Sequence, residues 1–132
     1  MWQKAADRMF ATVHAVFGLV DIRGSDPNGS PIVARMPVPL GTCFLVDSDR
    51  VFLTNAHVVN DEAGATRPSL QVVVHLPTTG AFVPVRVVAL DKARDLALIA
   101  ADAATEAKQV IFANKEVLPM GTPAASFGFR FR

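Results

Sequence analysis

Between Gly41 and Ala100 the chain alternates short β-branched apolar runs with polar turns, and this pattern constrains its fold more than any other feature. The runs cover residues 42–47, 50–54, 70–76, 82–89 and 96–100. They are separated by Asp-Ser-Asp, by a Gly- and Pro-bearing loop over 60–68, by Pro77-Thr-Thr-Gly80, and by residues 91–94. Evenly spaced strands of this kind are the signature of an antiparallel barrel or sandwich. A sixth run, 13–22, is rich in Val, Phe and Ile and ends in the turn-forming cluster RGSDPNGSP. Six strands suffice to close a small barrel. The expected fold is therefore all-β, a six-stranded antiparallel β-barrel over residues 13–101. Asn28-Gly29-Ser30 is formally a glycosylation sequon but reads as part of a turn.

The flanks read differently. In residues 1–12, Trp2, Ala5, Ala6, Met9 and Phe10 recur at spacings of three and four, which predicts a short amphipathic helix. Residues 102–121 read as a partly polar linker. Residues 122–132, TPAASFGFRFR, alternate again, with Ala125, Phe127, Phe129 and Phe131 on one face and Ser126, Gly128, Arg130 and Arg132 on the other. This is expected to be an orphan C-terminal strand, the first of a second barrel, in a protein that continues beyond Arg132. An unpaired strand bearing three phenylalanines seeks a partner, so a homo-oligomer formed through it is also expected.

Composition narrows the function classes. With 51% hydrophobic and 19% charged residues, the chain of 132 residues can bury a core and is not a disordered one. Thirteen basic against twelve acidic residues leave a formal charge of +1, with the basic residues scattered, so no nucleic-acid partner is expected. Cys43 is the only cysteine, which excludes an intrachain disulfide. The apolar stretch 9–20 fails as a signal peptide: Asp7 and Arg8 precede it, His14 interrupts it and no small-residue cleavage site closes it. No run reaches the roughly 18 apolar residues of a spanning helix. These features favour a cytoplasmic location.

Two residues stand where chemistry could be done. His57 follows Leu53-Thr-Asn-Ala56, where a strand ends and one turn of helix, 56–59, is expected to begin. Asp95 opens the run Leu96-Ala-Leu-Ile-Ala100, which would set its carboxylate near the barrel wall and largely out of water. A buried carboxylate needs hydrogen bonds, and an imidazole N–H is a good donor. Such a pair fixes one tautomer of the imidazole and leaves the other nitrogen free to take a proton from a hydroxyl.

Several motifs then fall in one order: GTCFLVD at 41–47, LTNAHVV at 53–59, DKARDLALI at 91–99 and LPMGTPAASFG at 118–128. In this order the chain resembles the trypsin-like serine peptidases, in particular the disulfide-free bacterial HtrA or Deg type, over roughly residues 9–131. The resemblance implies a general-base role for His57 and an orienting role for Asp95, with Thr54 and Ala56 packed around the histidine turn. It also implies a serine nucleophile in a Gly-x-Ser-Gly loop of a second barrel, whose backbone N–H groups form the oxyanion hole. Ser25, Ser30, Ser48, Ser69 and Ser126 are the serines here, and none has that context.

The function expected is thus the N-terminal half of a trypsin-like serine endopeptidase domain that hydrolyses peptide bonds in polypeptide substrates, inactive as the chain stands. The alternative is a non-catalytic peptidase-like barrel serving as a protein-binding or self-assembling module. Cys43 occupies a position where the family usually has glycine, and reads as a small buried apolar residue. His14, His57, His75 and Cys43 form no recognised ligand motif, so no metal and no cofactor are expected. His75 is expected to point outward from its strand.

Overall fold

A computed structural model describes residues 2–60, 71–113 and 117–129. Helix α1 (Trp2–Thr12) leads into β1 (Val13–Ser25), and β2 (Pro31–Asp47), β3 (Val51–Thr54), the single-turn helix α2 (Ala56–Val59), β4 (Gln71–Leu76), β5 (Ala81–Asp91) and β6 (Leu96–Ala101) follow. The strands are antiparallel and hydrogen-bond in the order β1-β2-β3-β6-β5-β4, with β4 returning to β1, so the sheet closes into a ring. Much of the loop predicted over 60–68, the first residue of the run 70–76, and Arg130, Phe131 and Arg132 lie outside the described residues.

The interior follows from the period-2 alternation. Val16 on β1, Cys43 and Leu45 on β2, Phe52 on β3, Val74 and Leu76 on β4, and Ala97 and Ile99 on β6 form one buried cluster, which Val58 and Val59 of α2 complete. Cys43 is wholly buried, as its sequence context suggested, and burial pushes its thiol well above the usual range.

Beside it lies an unusual core residue. His14 pairs across the β1–β2 ladder with Cys43, is 2% exposed, and meets Phe52 edge to face. Neither ring nitrogen has a hydrogen-bond partner among the described residues. Burial, with a smaller effect from the His75 charge, lowers its pKa below 6.5. The fold therefore holds His14 neutral, while the unfolded chain takes up a proton from about pH 6.5 downward. Stability is full above that pH and falls as pH drops through 6.5 toward the folded value. Urea unfolding at pH 7 and pH 5.5 should show this loss, and His14→Leu should remove most of it. A pH dependence unchanged in the variant would assign the effect to other groups.

β2 is longer than the run predicted over 42–47: it starts at Pro31, the last residue of the turn-forming cluster, carries Pro37 and Pro39 as well, and pairs with β1 from Ser25↔Pro31 to Phe17↔Pro39. Proline is tolerated on an edge strand when its nitrogen faces away from the ladder. All three prolines share one parity, and no described strand pairs with β2 before Phe44. The turn is the one read at the sequon: Asp26 accepts the backbone N–H groups of Asn28 and Ser30, and Gly29 adopts φ 84°.

Residues 122–129, expected as an orphan C-terminal strand, join no ladder among the described residues. They run instead as irregular chain past α1 and β2. The Phe129 N–H donates to Thr42 Oγ1 at 2.8 Å, and Phe127 and Phe129 line a small apolar pocket with Ala6 and Met9. Of the linker predicted over 102–121, residues 102–113 lie against the ring, with the bridge Leu45↔Gln109 and hydrogen bonds from Thr105 to the Asp49 carbonyl and from Gln109 Nε2 to the Val46 carbonyl.

Beyond the ring, β1 and β2 continue as a two-stranded ribbon. The register puts Gly18, Val20, Ile22 and Gly24 with Val38, Met36, Ala34 and Ile32 on one face, every residue apolar. The other face carries the Asp21–Arg35 ion pair at 3.6 Å. Ile22, Ile32, Met36 and Val38 are all exposed.

Candidate active site

β3 ends at Thr54, whose hydroxyl donates to the Thr42 carbonyl at 2.7 Å and fixes the end of β3 against β2. The chain then turns into α2. Gly41 makes that turn possible, because a Cβ there would lie 2.7 Å from Cγ2 of Val58, a stiff buried side chain. α2 buries Ala56, Val58 and Val59 and leaves His57 pointing outward.

On the neighbouring β6, Asp95 sits in the turn just before Leu96 with φ 56°, a left-handed conformation uncommon outside glycine but better tolerated by Asp. From there its carboxylate reaches His57 twice. Oδ1 accepts the His57 backbone N–H at 2.9 Å, and Oδ2 lies 2.6 Å from His57 Nδ1. An ionised carboxylate only accepts hydrogen bonds, so Nδ1 carries the proton in this contact.

The pairing of His57 with Asp95 agrees with expectation; the environment of Asp95 does not. The carboxylate was expected to be largely out of water, whereas the side chains of Asp95 and His57 are 46% and 70% exposed. The reason is position: Asp95 precedes the strand, on an open surface of the ring. Hydrogen bonds take the place of burial as the ordering force. The His57 backbone N–H, then the His57 ring, and further the Ala56 N–H hold the Asp95 carboxyl below its ordinary range.

Two residues that sequence reasoning passed over complete the arrangement. Asn55 Nδ2 donates to the Asp95 carbonyl at 2.9 Å. Asp91 accepts the Arg94 backbone N–H at 3.1 Å and its guanidinium at 2.7 Å, which closes the turn that ends in Asp95. Asn55 stands inside LTNAHVV, and an Asp three residues before a turn's last N–H is a recognisable turn signal, so both could have been found.

Among the described residues, no serine hydrogen-bonds to His57, and no group of three His, Cys, Asp or Glu side chains is placed to hold a metal. His75, expected to face outward, is partly exposed and stacks against Phe82 with Phe17 at the edge. No helix among the described residues is long and apolar enough to cross a membrane. Next to the pair lies an open apolar cleft of about 250 Å³, lined by Asn55, Leu53, Leu96, Phe44, Val13 and Phe127 among others.

Comparison with known proteins gives a consistent placement. The solved structure of the HtrA-type protease AlgW with decapeptide superposes with a TM-score of 0.63 at 21% identity, over 81% of this chain and 34% of that one. A variant of the same protease, also with decapeptide, gives 0.62 at 22% identity over 92% and 38%. At these identities the likeness establishes the fold, and the chain spans little more than a third of the length of either structure. A search of curated proteins finds no match. The family model for the trypsin-like peptidase domain matches residues 41–132, well over half of the sequence, and the chain belongs to that family.

Proposed function

We propose that this chain is the His- and Asp-bearing N-terminal β-barrel of a serine endopeptidase of the HtrA type. The observation that carries the reading is the two-point contact of Asp95 with His57, at 2.9 Å to the backbone N–H and 2.6 Å to Nδ1. This contact supplies what a general base needs: a proton fixed on Nδ1 and one ring orientation, with Nε2 the atom that would exchange a proton with the nucleophile. His57 Nε2 would take the proton from a serine hydroxyl as it attacks the scissile carbonyl and return it to the leaving amine. Asp95 would stabilise the imidazolium formed between those steps.

The nucleophile and the oxyanion hole belong to a second barrel. The apolar cleft beside the pair, which Phe127 enters, is a suitable seat for it. The substrate class is polypeptide, in keeping with the family and with the decapeptide in the related AlgW structures. The test is to read the coding region beyond Arg132. A Gly-x-Ser-Gly-Gly segment within about the length of a second barrel supports the proposal, and a stop codon with no such segment encoded nearby refutes it.

The exposed ribbon favours a second reading, a self-associating module. Its uniformly apolar face matches a second copy of itself, and a formal charge of +1 sets little repulsion against that contact. The association first expected through the C-terminal residues is less favoured, because Phe127 and Phe129 already contact α1 and β2. Sedimentation should show a dimer or larger species that Met36→Glu shifts toward monomer. A wild-type monomer at high concentration would refute this second reading.

A further inference from the structure

The helix that carries His57 has its N-terminal capping exchanged with another element. Asn55 occupies the N-cap position of α2 in extended conformation, φ −85° and ψ 146°, and Asn is among the residues best suited to cap a helix with its own side chain. Its side chain makes no cap hydrogen bond. The first N–H groups of α2 are instead served by the Asp95 carboxylate, while the Asn55 amide reaches across to the Asp95 carbonyl. Asp95 is thus gripped at both ends, and the grip holds it in a left-handed conformation that an unsupported Asp seldom keeps. From behind, Asp91 fastens the turn through the Arg94 backbone N–H, and the Asp95 N–H closes on the Lys92 carbonyl at 3.3 Å.

We infer that Asn55 and Asp91 are positioning residues for the His57–Asp95 pair, acting by holding Asp95 in its left-handed conformation. Neither side chain hydrogen-bonds the imidazole of His57. Both act through the backbone of residues 94 and 95. Loss of either lets Asp95 relax toward a right-handed or extended backbone, which swings the carboxylate away from at least one of its two His57 contacts. Asn55 matters more, because it bonds Asp95 itself, whereas Asp91 acts one residue away. The catalytic meaning of this arrangement rests on the function proposed above, but the geometry does not.

The test therefore reads geometry in the 132-residue chain, without turnover. A histidine Nδ1–H held by a carboxylate gives a far-downfield proton resonance, assigned here by its loss in Asp95→Ala. Asn55→Asp keeps the shape of the side chain, removes the N–H donor and faces the Asp95 carbonyl with a carboxylate. It should abolish the resonance or raise its exchange with water at least tenfold, while the methyl signals of Val16 and Val74 in the core stay in place. Asp91→Ala should raise the exchange by a smaller factor. Asn55→Ala serves as the second variant if Asn55→Asp fails to fold. An unchanged resonance and exchange rate in the Asn55 variants, with the core signals intact, overturns the inference. Failure of the peptidase reading shows separately, as a coding region with no serine-bearing segment, and leaves this result untouched.

Discussion

Purified as the 132-residue chain, the protein should leave an unstructured polypeptide such as casein uncleaved, and His57→Ala should change nothing. The reason lies in how the parts of a nucleophilic site depend on one another. In the proposed role His57, oriented by Asp95, would accept a proton, but none of the serines stands in the Gly-x-Ser-Gly context that would present a hydroxyl to Nε2. A base without its nucleophile retains almost none of the rate enhancement, because such residues act as a unit. In a longer protein that also supplies the serine-bearing half, His57→Ala should cut kcat by roughly 10⁴–10⁶, and Asp95→Ala by a smaller but still large factor. Cleavage of casein by the short chain that His57→Ala abolishes would overturn the assignment of the missing nucleophile. Full activity of the longer protein with His57 replaced would overturn the role of the histidine.

The largest stability effect is expected at Phe52. Among the described residues it is the bulkiest fully buried side chain, on the short strand β3, between β2 and β6 in the ring, and its ring meets His14 edge to face. Phe52→Ala removes an aromatic ring from a site that the closed sheet cannot collapse to fill, and should cost about 3–5 kcal/mol. Domains of this size have only about 5–15 kcal/mol in all, so the variant should sit near its unfolding threshold at 37 °C. Urea unfolding followed by circular dichroism measures this directly. A cost below about 1 kcal/mol would mean that the ring relaxes around the void or that the core is less tightly packed than described. Phe52→Leu should recover more than half of the loss, since it restores most of the apolar volume.

Much of this molecule was legible in its residues, for definable reasons. Alternation of apolar and polar positions is a local property, so five of the six predicted strands appear with ends displaced by at most three residues. β2 is the exception: only residues 42–47 of it were predicted, and Pro31, Pro37 and Pro39 are accommodated in its earlier part because no described strand pairs with β2 there except β1. At the C-terminus Phe127 and Phe129 have a strand's pattern, but a ladder forms only where another strand offers hydrogen bonds, and among the described residues none does. The helix turn at His57 and its pairing with Asp95 were legible through motifs whose spacing is specific. The exposure of that pair was not, since burial depends on what stands opposite.

By itself, then, the sequence determined most of the strand pattern, the resemblance to the family, the pairing of His57 with Asp95, and the lack of a serine in the expected context. Only the tertiary structure decided that the sheet closes through β4 and β1, that an all-apolar ribbon face stands outside the ring, and that the Asp95 carboxylate lies half in water. It also decided that Asn55 and Asp95 exchange their capping duties across 40 positions of chain. The division has one physical cause. Side-chain periodicity and turn chemistry act over a few residues, whereas hydrogen-bond partners, exposure and a strained backbone angle are set by groups that only folding brings together.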